Sequence, residues 1–184
     1  MLPHICHALI GQVSGTLSDV GIKLGVSKLT LQKVFHALSY LVPGVCLIVM
    51  SQLSSPHLRY FCVAVMTVGY GFNGASYSGH FANIISIGPN RSGTTYGMIN
   101  MMSNLPGFLM PLVINAFTSG HEDSSRHWGY VFWIFAGLYG IGTIVFVLFA
   151  QIEVQPFNYR DYTKPKHEDQ EQPSTPSYKK TEID

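Results

Sequence analysis

Five polar side chains recur within one otherwise apolar stretch, GYGFNGASYSGHFANI from Gly69 to Ile84: Asn73, Ser76, Tyr77, His80 and Asn83. Amides and hydroxyls donate and accept hydrogen bonds, and an imidazole can in addition take a proton near neutral pH. On a uniform helix at 100° per residue the five share an arc of about 120°. Gly71, Gly74, Ala75 and Ser78 lie on the other side, and Gly71, Ala75 and Gly79 follow the small-xxx-small spacing that lets a second helix approach. Polar groups are costly against lipid and face a bundle interior or a watery cavity. The arc therefore reads as a substrate-facing stripe. The alternative is hydrogen bonding between helices plus one satisfied buried histidine.

A second set follows. Asn100, Ser103, Asn104 and Gly107 are spaced i, i+3, i+4, i+7 and share a helix face, and Gly93 and Gly97 form a GxxxG at its start. Pro106 and Pro111 deprive the carbonyls of Met102 and Gly107 of their helical partners. Freed carbonyls at membrane depth are tolerated where they line protein or water. Two polar stripes with helix breakers suggest the wall of a conduit; simple bending is the alternative for the prolines. Gly15 and Asp19, in GTLSD, are expected in the first loop, where the aspartate would accept hydrogen bonds from a neighbouring helix end. An ordinary helix end is the other reading of that stretch.

Enzyme signatures are missing: no HExxH, GxSxG or GxxxxGK[ST] occurs, and no cofactor is expected. His4 and His7 are the nearest approach to a metal pair. The spans carry no carboxylate, so a proton or sodium relay built on Asp or Glu is not expected. Cys6, Cys46 and Cys62 lie in apolar stretches without CxxC spacing and read as small packing residues.

The elements that must position these residues are membrane helices. Of 184 residues, 47% are hydrophobic and 11% charged, well under the roughly 25% of soluble domains. The net charge of +1 points to no nucleic acid. Crossing the hydrocarbon core takes about 20 apolar residues. The expected spans are about 1–18, 34–51, 58–85, 93–117 and 128–152, the first starting as if its beginning were missing. Lysines and arginines mark the first loop, the third loop and the C-terminal region, which places those in the cytoplasm. The Asn90–Arg91–Ser92 sequon would then stay unmodified. Trp128, Tyr130, Phe132 and Trp133 read as an interfacial aromatic belt. Residues 153–184, rich in Pro, Glu, Lys, Gln and Ser, read as a disordered cytoplasmic tail.

The run GFNGASYSGHFANIISIGPNRSGTTYGMINMMSN, then LMPLVINAFT, then HWGYVFWIFAGLYGIGTIVFVLFAQIEVQPF resembles the anion:cation symporter branch of the major facilitator superfamily, which includes sialin, vesicular glutamate transporters and sodium/phosphate cotransporters. The resemblance covers about residues 1–160. Its most specific parts are the tenth span with IGP, the GMINMMSN of the eleventh and the exit FAQIEVQPF; GTLSD fits the superfamily's loop motif between spans eight and nine. It implies an all-α bundle of about five transmembrane helices, spans eight to twelve of twelve, with Asn100 and the Ser76–Tyr77 region facing the anion site. Many relatives have an aspartate where Ser86 stands and an arginine directly after Pro89, where this chain has Asn90; the latch at that end is expected to differ. His80 stands at a usually apolar position.

The resemblance implies secondary active transport of organic or inorganic anions, coupled to protons, sodium or membrane potential, by alternating access. The expected partners are a small anionic substrate, the lipid bilayer and a missing N-terminal half of the transporter. The expected location is the plasma membrane or a lysosomal or vesicular membrane. A truncated, non-transporting isoform that regulates other membrane proteins is the competing reading.

Overall fold

The computed structural model describes residues 1–53, 56–119 and 125–159. Among these, six α-helices carry the chain: α1 (Leu2–Lys23), α2 (Lys28–Gln52), α3 (Arg59–Asn73), α4 (His80–Ile87), α5 (Ser92–Thr118) and α6 (Ser125–Phe149), with no strand among the described residues. Three helical segments, Lys28–Gln52, Pro89–Phe117 and His127–Phe149, are by themselves long and apolar enough to cross a membrane.

The interior is polar and the exterior apolar. Among the described residues, the buried apolar side chains are Phe35, Ala75, Ile84, Val131 and Ala136. Ten of the described residues are buried and polar, with Gln32, His36, Ser39, Ser76 and Asn83 among them. Large apolar residues such as Phe61, Met101, Phe108 and Phe149 stay more than half exposed. In lipid the apolar surface needs no burial, and polar groups are driven inward to find partners.

Helix α2 is the hub, packing against α1, α3, α4 and α6. Its start is capped by Ser27, whose Oγ accepts from the Thr30 N–H at 3.2 Å. The turn before it is short because Gly25 takes φ +87°, a conformation that stops α1 and that L side chains rarely adopt. The expected first loop is therefore mostly helix. Gly15 and Asp19 lie inside α1, and just residues 24–27 connect it to α2. Asp19 is exposed there.

The expected span 58–85 is not one helix. After α3 the chain tightens into a 3-10 turn over Gly74–Tyr77, breaks at Gly79, whose ψ of −113° is not helical, and resumes as α4. Two close approaches require the small residues. A Cβ on Gly74 would collide with the carbonyl of His7 in α1, and one on Gly79 would lie 2.7 Å from the backbone nitrogen of His36 in α2. The small residues thus serve two neighbours, one on each side.

Helix α5 runs through Pro106 and Pro111 as one continuous helix. It meets the bundle through α6, α4 and the preceding turn, and its most apolar window has no buried residue.

The chain beyond 153 also departs from expectation. Up to Tyr159 it is ordered against the bundle. The Gln155 N–H donates to the Ile87 carbonyl at 2.8 Å, and the Asn158 Oδ1 accepts from the Asn90 N–H at 2.8 Å. Asn158 is buried, and Phe157 lies against Gly88. The rest of the expected disordered tail, 160–184, lies outside the described residues.

Candidate functional site: a neutral polar cavity between four helices

The helical break redistributes the first polar stripe. Before it, the Asn73 Nδ2 donates to the Ser39 carbonyl of α2 at 3.4 Å, and Asn73 borders a cavity of about 210 Å³ between α2, α3 and α6. In the 3-10 turn, Ser76 is buried, while Tyr77 swings toward α1, half exposed, its ring 5.6 Å from that of His7 and edge-on to it. After the break, His80 and Asn83 face α2. The uniform-helix arc is corrected here: a 3-10 turn advances about 120° per residue and the kink at Gly79 resets the phase, so Tyr77 parts from His80.

His80 reaches a half-open cavity of about 460 Å³ bordered by α2, α4, α5 and α6. His36 and Tyr40 enter it from α2, Phe81 from α4, Tyr96, Asn100 and Ser103 from α5, and Gly142 and Phe146 from α6. Asn100 and Ser103 line the same cavity as His80. Asn104 is not part of the lining; its Nδ2 donates to the Asn100 carbonyl at 2.8 Å. Gly15 lines a separate hollow near His7, Gln12, Tyr77 and Ser78. His4 and His7 pack on Tyr70, each with ring centroids 5.0 Å apart, and no metal-type cluster forms among the described residues.

Two histidines define the chemistry of the larger cavity. The Nδ1 atoms of His36 and His80 are 3.2 Å apart, and the Nε2 of His36 lies 3.4 Å from the Gly142 carbonyl. His36 is stacked between Tyr40 and Phe146, with centroids at 4.4 and 3.9 Å. No Asp, Glu, Lys or Arg lines this cavity among the described residues. What it offers a solute is hydrogen bonding from amide, hydroxyl and imidazole against aromatic walls.

One turn nearer the start of α2 lies a wholly neutral polar cluster. The Asn83 Nδ2 donates to the Gln32 Oε1 at 3.0 Å and to the Gln151 carbonyl at 2.7 Å, and the Gln32 Nε2 donates to the Ser86 Oγ at 3.0 Å. Ser86 belongs to this cluster, and Asn90 lies in the turn that follows α4.

His36, Tyr40 and Gln32 escaped the sequence reading. Their signal was available: Gln32, His36, Ser39, Tyr40 and Pro43 repeat at i, i+4, i+7, i+8, i+11 through an apolar span, a third inward stripe.

No protein-family model matches the chain. Individual relatives do. The chain is 28% identical over 157 residues to the uncharacterized transporter slc-17.2 of Caenorhabditis elegans, covering 85% of this chain and 31% of that protein. Human vesicular glutamate transporter 2 is 27% identical over 157 residues, 85% of this chain and 26% of its own length. A chloroplast sodium-dependent phosphate transport protein of Arabidopsis thaliana is 27% identical over 150 residues, 82% and 28%. The chain is similar to the anion:cation symporter branch of the major facilitator superfamily. It spans between a quarter and a third of the length of these relatives, and they are transporters, not enzymes. Among the described residues its bundle is helical and apolar on the outside, which fits the membrane-transporter character of these relatives.

Proposed function

We propose that the chain forms one wall of an anion pathway in a secondary active transporter, with the cavity between α2, α4, α5 and α6 as the place where the anion is held. The carrying observation is that Asn100 and Ser103 of α5 and His80 of α4 converge on one half-open cavity of about 460 Å³ in an otherwise lipid-like exterior. A small organic or inorganic anion would take hydrogen bonds from the Asn100 amide and the Ser103 hydroxyl, and the aromatic walls of Tyr40 and Tyr96 would exclude lipid. Relatives named for glutamate and phosphate support an anion as cargo. Protons, sodium or membrane potential would drive the cycle, by alternating access of this wall against a second one. In this reading the chain exit and the α4–α5 turn face the cytoplasm, in a plasma, lysosomal or vesicular membrane, and Asn73, Ser76 and Tyr77 support the broken helix rather than the anion itself.

Uptake of labelled anions into proteoliposomes, using the longest protein that carries this sequence, tests the reading. Asn100→Ala is expected to lower uptake about tenfold or more, the loss of one hydrogen bond to a charged ligand, at unchanged protein content and folding. Uptake within about twofold of the parent, less than half a kcal/mol by the same arithmetic, removes Asn100 from the pathway.

A further inference from the structure

We propose that His36 and His80 together form a site for a single proton, which enters at the Nε2 of His80 and gives the neutral cavity its positive charge. The inference deepens the transport reading by naming the coupled species, and it rests on that reading only where an anion is concerned.

We assign each tautomer from the hydrogen-bond pattern. A carbonyl can only accept, so the Nε2 of His36, facing the Gly142 oxygen at 3.4 Å, carries that ring's hydrogen. The Nδ1 of neutral His36 is then a bare acceptor. The Nδ1 of His80, 3.2 Å away, must be the donor. With its hydrogen on Nδ1, neutral His80 keeps one lone pair, on Nε2. Among the described residues no side-chain nitrogen or oxygen that is fully buried lacks a partner. Among the described residues the Nε2 of His80 has no hydrogen-bond partner, so it is accessible, and His80 lines the cavity. The pair thus offers one open proton-accepting position. Protonation there leaves the Nδ1–H···Nδ1 bond intact and spreads the charge along it. A second proton would have to enter between two nitrogens already at hydrogen-bond distance, which like-charge repulsion opposes.

The surroundings leave the task to this pair. The titratable groups that face it are Tyr40 from α2, Tyr96 from α5, Tyr139 of α6 against Tyr40, and Tyr77 of the 3-10 turn through Phe81. Phenols stay neutral at physiological pH, and no carboxylate, lysine or arginine lines the cavity among the described residues. One proton therefore turns a neutral cavity into a cationic one, beside Asn100 and Ser103. An anion entering that space and the proton stabilise one another, which is the linkage a proton-coupled anion carrier needs.

Nitrogen-15 and carbon-13 magnetic resonance of histidine-labelled protein in lipid bilayers reads the tautomers directly. The expected result at high pH is hydrogen on Nε2 of His36 and on Nδ1 of His80. On acidification the Nε2 of His80 alone is protonated while His36 keeps its tautomer. His36→Asn, whose Oδ1 replaces the Nδ1 acceptor, is expected to hold the His80 tautomer, and His36→Phe to release it. Hydrogen on Nε2 of neutral His80, or both rings protonating over one pH range, overturns the proposal. Added inorganic phosphate or glutamate is expected to raise the titration midpoint by about one pH unit, a tenfold gain in proton affinity. An unmoved midpoint with one proton still at the Nε2 of His80 upholds the proton site and instead overturns the cavity's role as the anion pathway.

Discussion

Pro43 has no N–H to give to the carbonyl of Ser39, four residues earlier in α2, and Ser39 is fully buried. That carbonyl would be an orphan at membrane depth, a position that costs free energy unless a partner is found. The Asn73 amide of α3 supplies the partner at 3.4 Å. A double-mutant cycle isolates the bond. Asn73→Ala alone is expected to lower stability in mild detergent by about 1 kcal/mol, at the level of interhelical hydrogen bonds in membranes. In a Pro43→Ala background, where the new backbone N–H donates to the Ser39 carbonyl within α2, Asn73→Ala is expected to cost about half of that or less. Equal costs in both backgrounds would show that Asn73 does not serve this carbonyl. Residue types in the sequence announce that Asn73 must be satisfied. They do not announce by what, because the orphan carbonyl is created by a proline on another helix, far away along the chain.

At the scale of elements, the decisive feature is the interruption between α3 and α4. It divides one stripe into a part that braces the bundle and a part, His80 and Asn83, that serves the cavity and the amide cluster beside it. Gly79 is the residue that permits it, because any Cβ there would press on the backbone of His36. Gly79→Ala is expected to destabilise the protein by about 1–3 kcal/mol, the usual penalty for overpacking. It should also separate the His36 and His80 rings. Gly97→Ala in α5, where a Cβ meets nothing within 4 Å, is expected to be neutral or to stabilise by up to about 1 kcal/mol through helix propensity. Thermal unfolding of the two variants in the same detergent checks the contrast, and similar losses at both positions would remove the close approach as the reason for Gly79. Helix existence was legible from hydrophobic runs alone, and of the second stripe, Asn100, Ser103, Asn104 and Gly107, the first two line the cavity while Asn104 bonds back to the Asn100 carbonyl within the continuous α5. The phase of the first stripe was not legible. Gly, Ser and Ala are compatible with an unbroken helix, and the break follows from two neighbours pressing on Gly74 and Gly79. The same blindness hid His36 and Tyr40, whose span was read for its apolar residues and not for its polar periodicity.

At the scale of the whole molecule, the chain after α6 ties the bundle's polar end together. The exit segment pairs with the α4–α5 turn through Gln155 to Ile87 and Asn158 to Asn90, while Gln151 closes on Asn83, which in turn holds Gln32 of α2. Four helices are thereby joined at one end by neutral hydrogen bonds, each one of modest strength and reversible. Composition alone marked everything past residue 153 as unable to fold, since that stretch has little to bury. It overlooked that Asn158 needs no hydrophobic core when an unpaired backbone N–H at a helix start is waiting for an acceptor. Hydrogen exchange of the Asn90 amide reads this tie without depending on transport. Asn158→Ala is expected to speed that exchange by about five- to thirtyfold, the equivalent of 1–2 kcal/mol of local protection, while the amides in the middle of α2 and α6 keep their rates. Faster exchange throughout α2 and α6 would mean that the exit segment holds up the fold itself. An unchanged Asn90 rate would mean that the segment rests on the turn without securing it. Selective loosening is the result that the geometry calls for, because the exit segment touches the α4–α5 turn and the amide cluster at one end of the bundle and not the middles of α2 and α6.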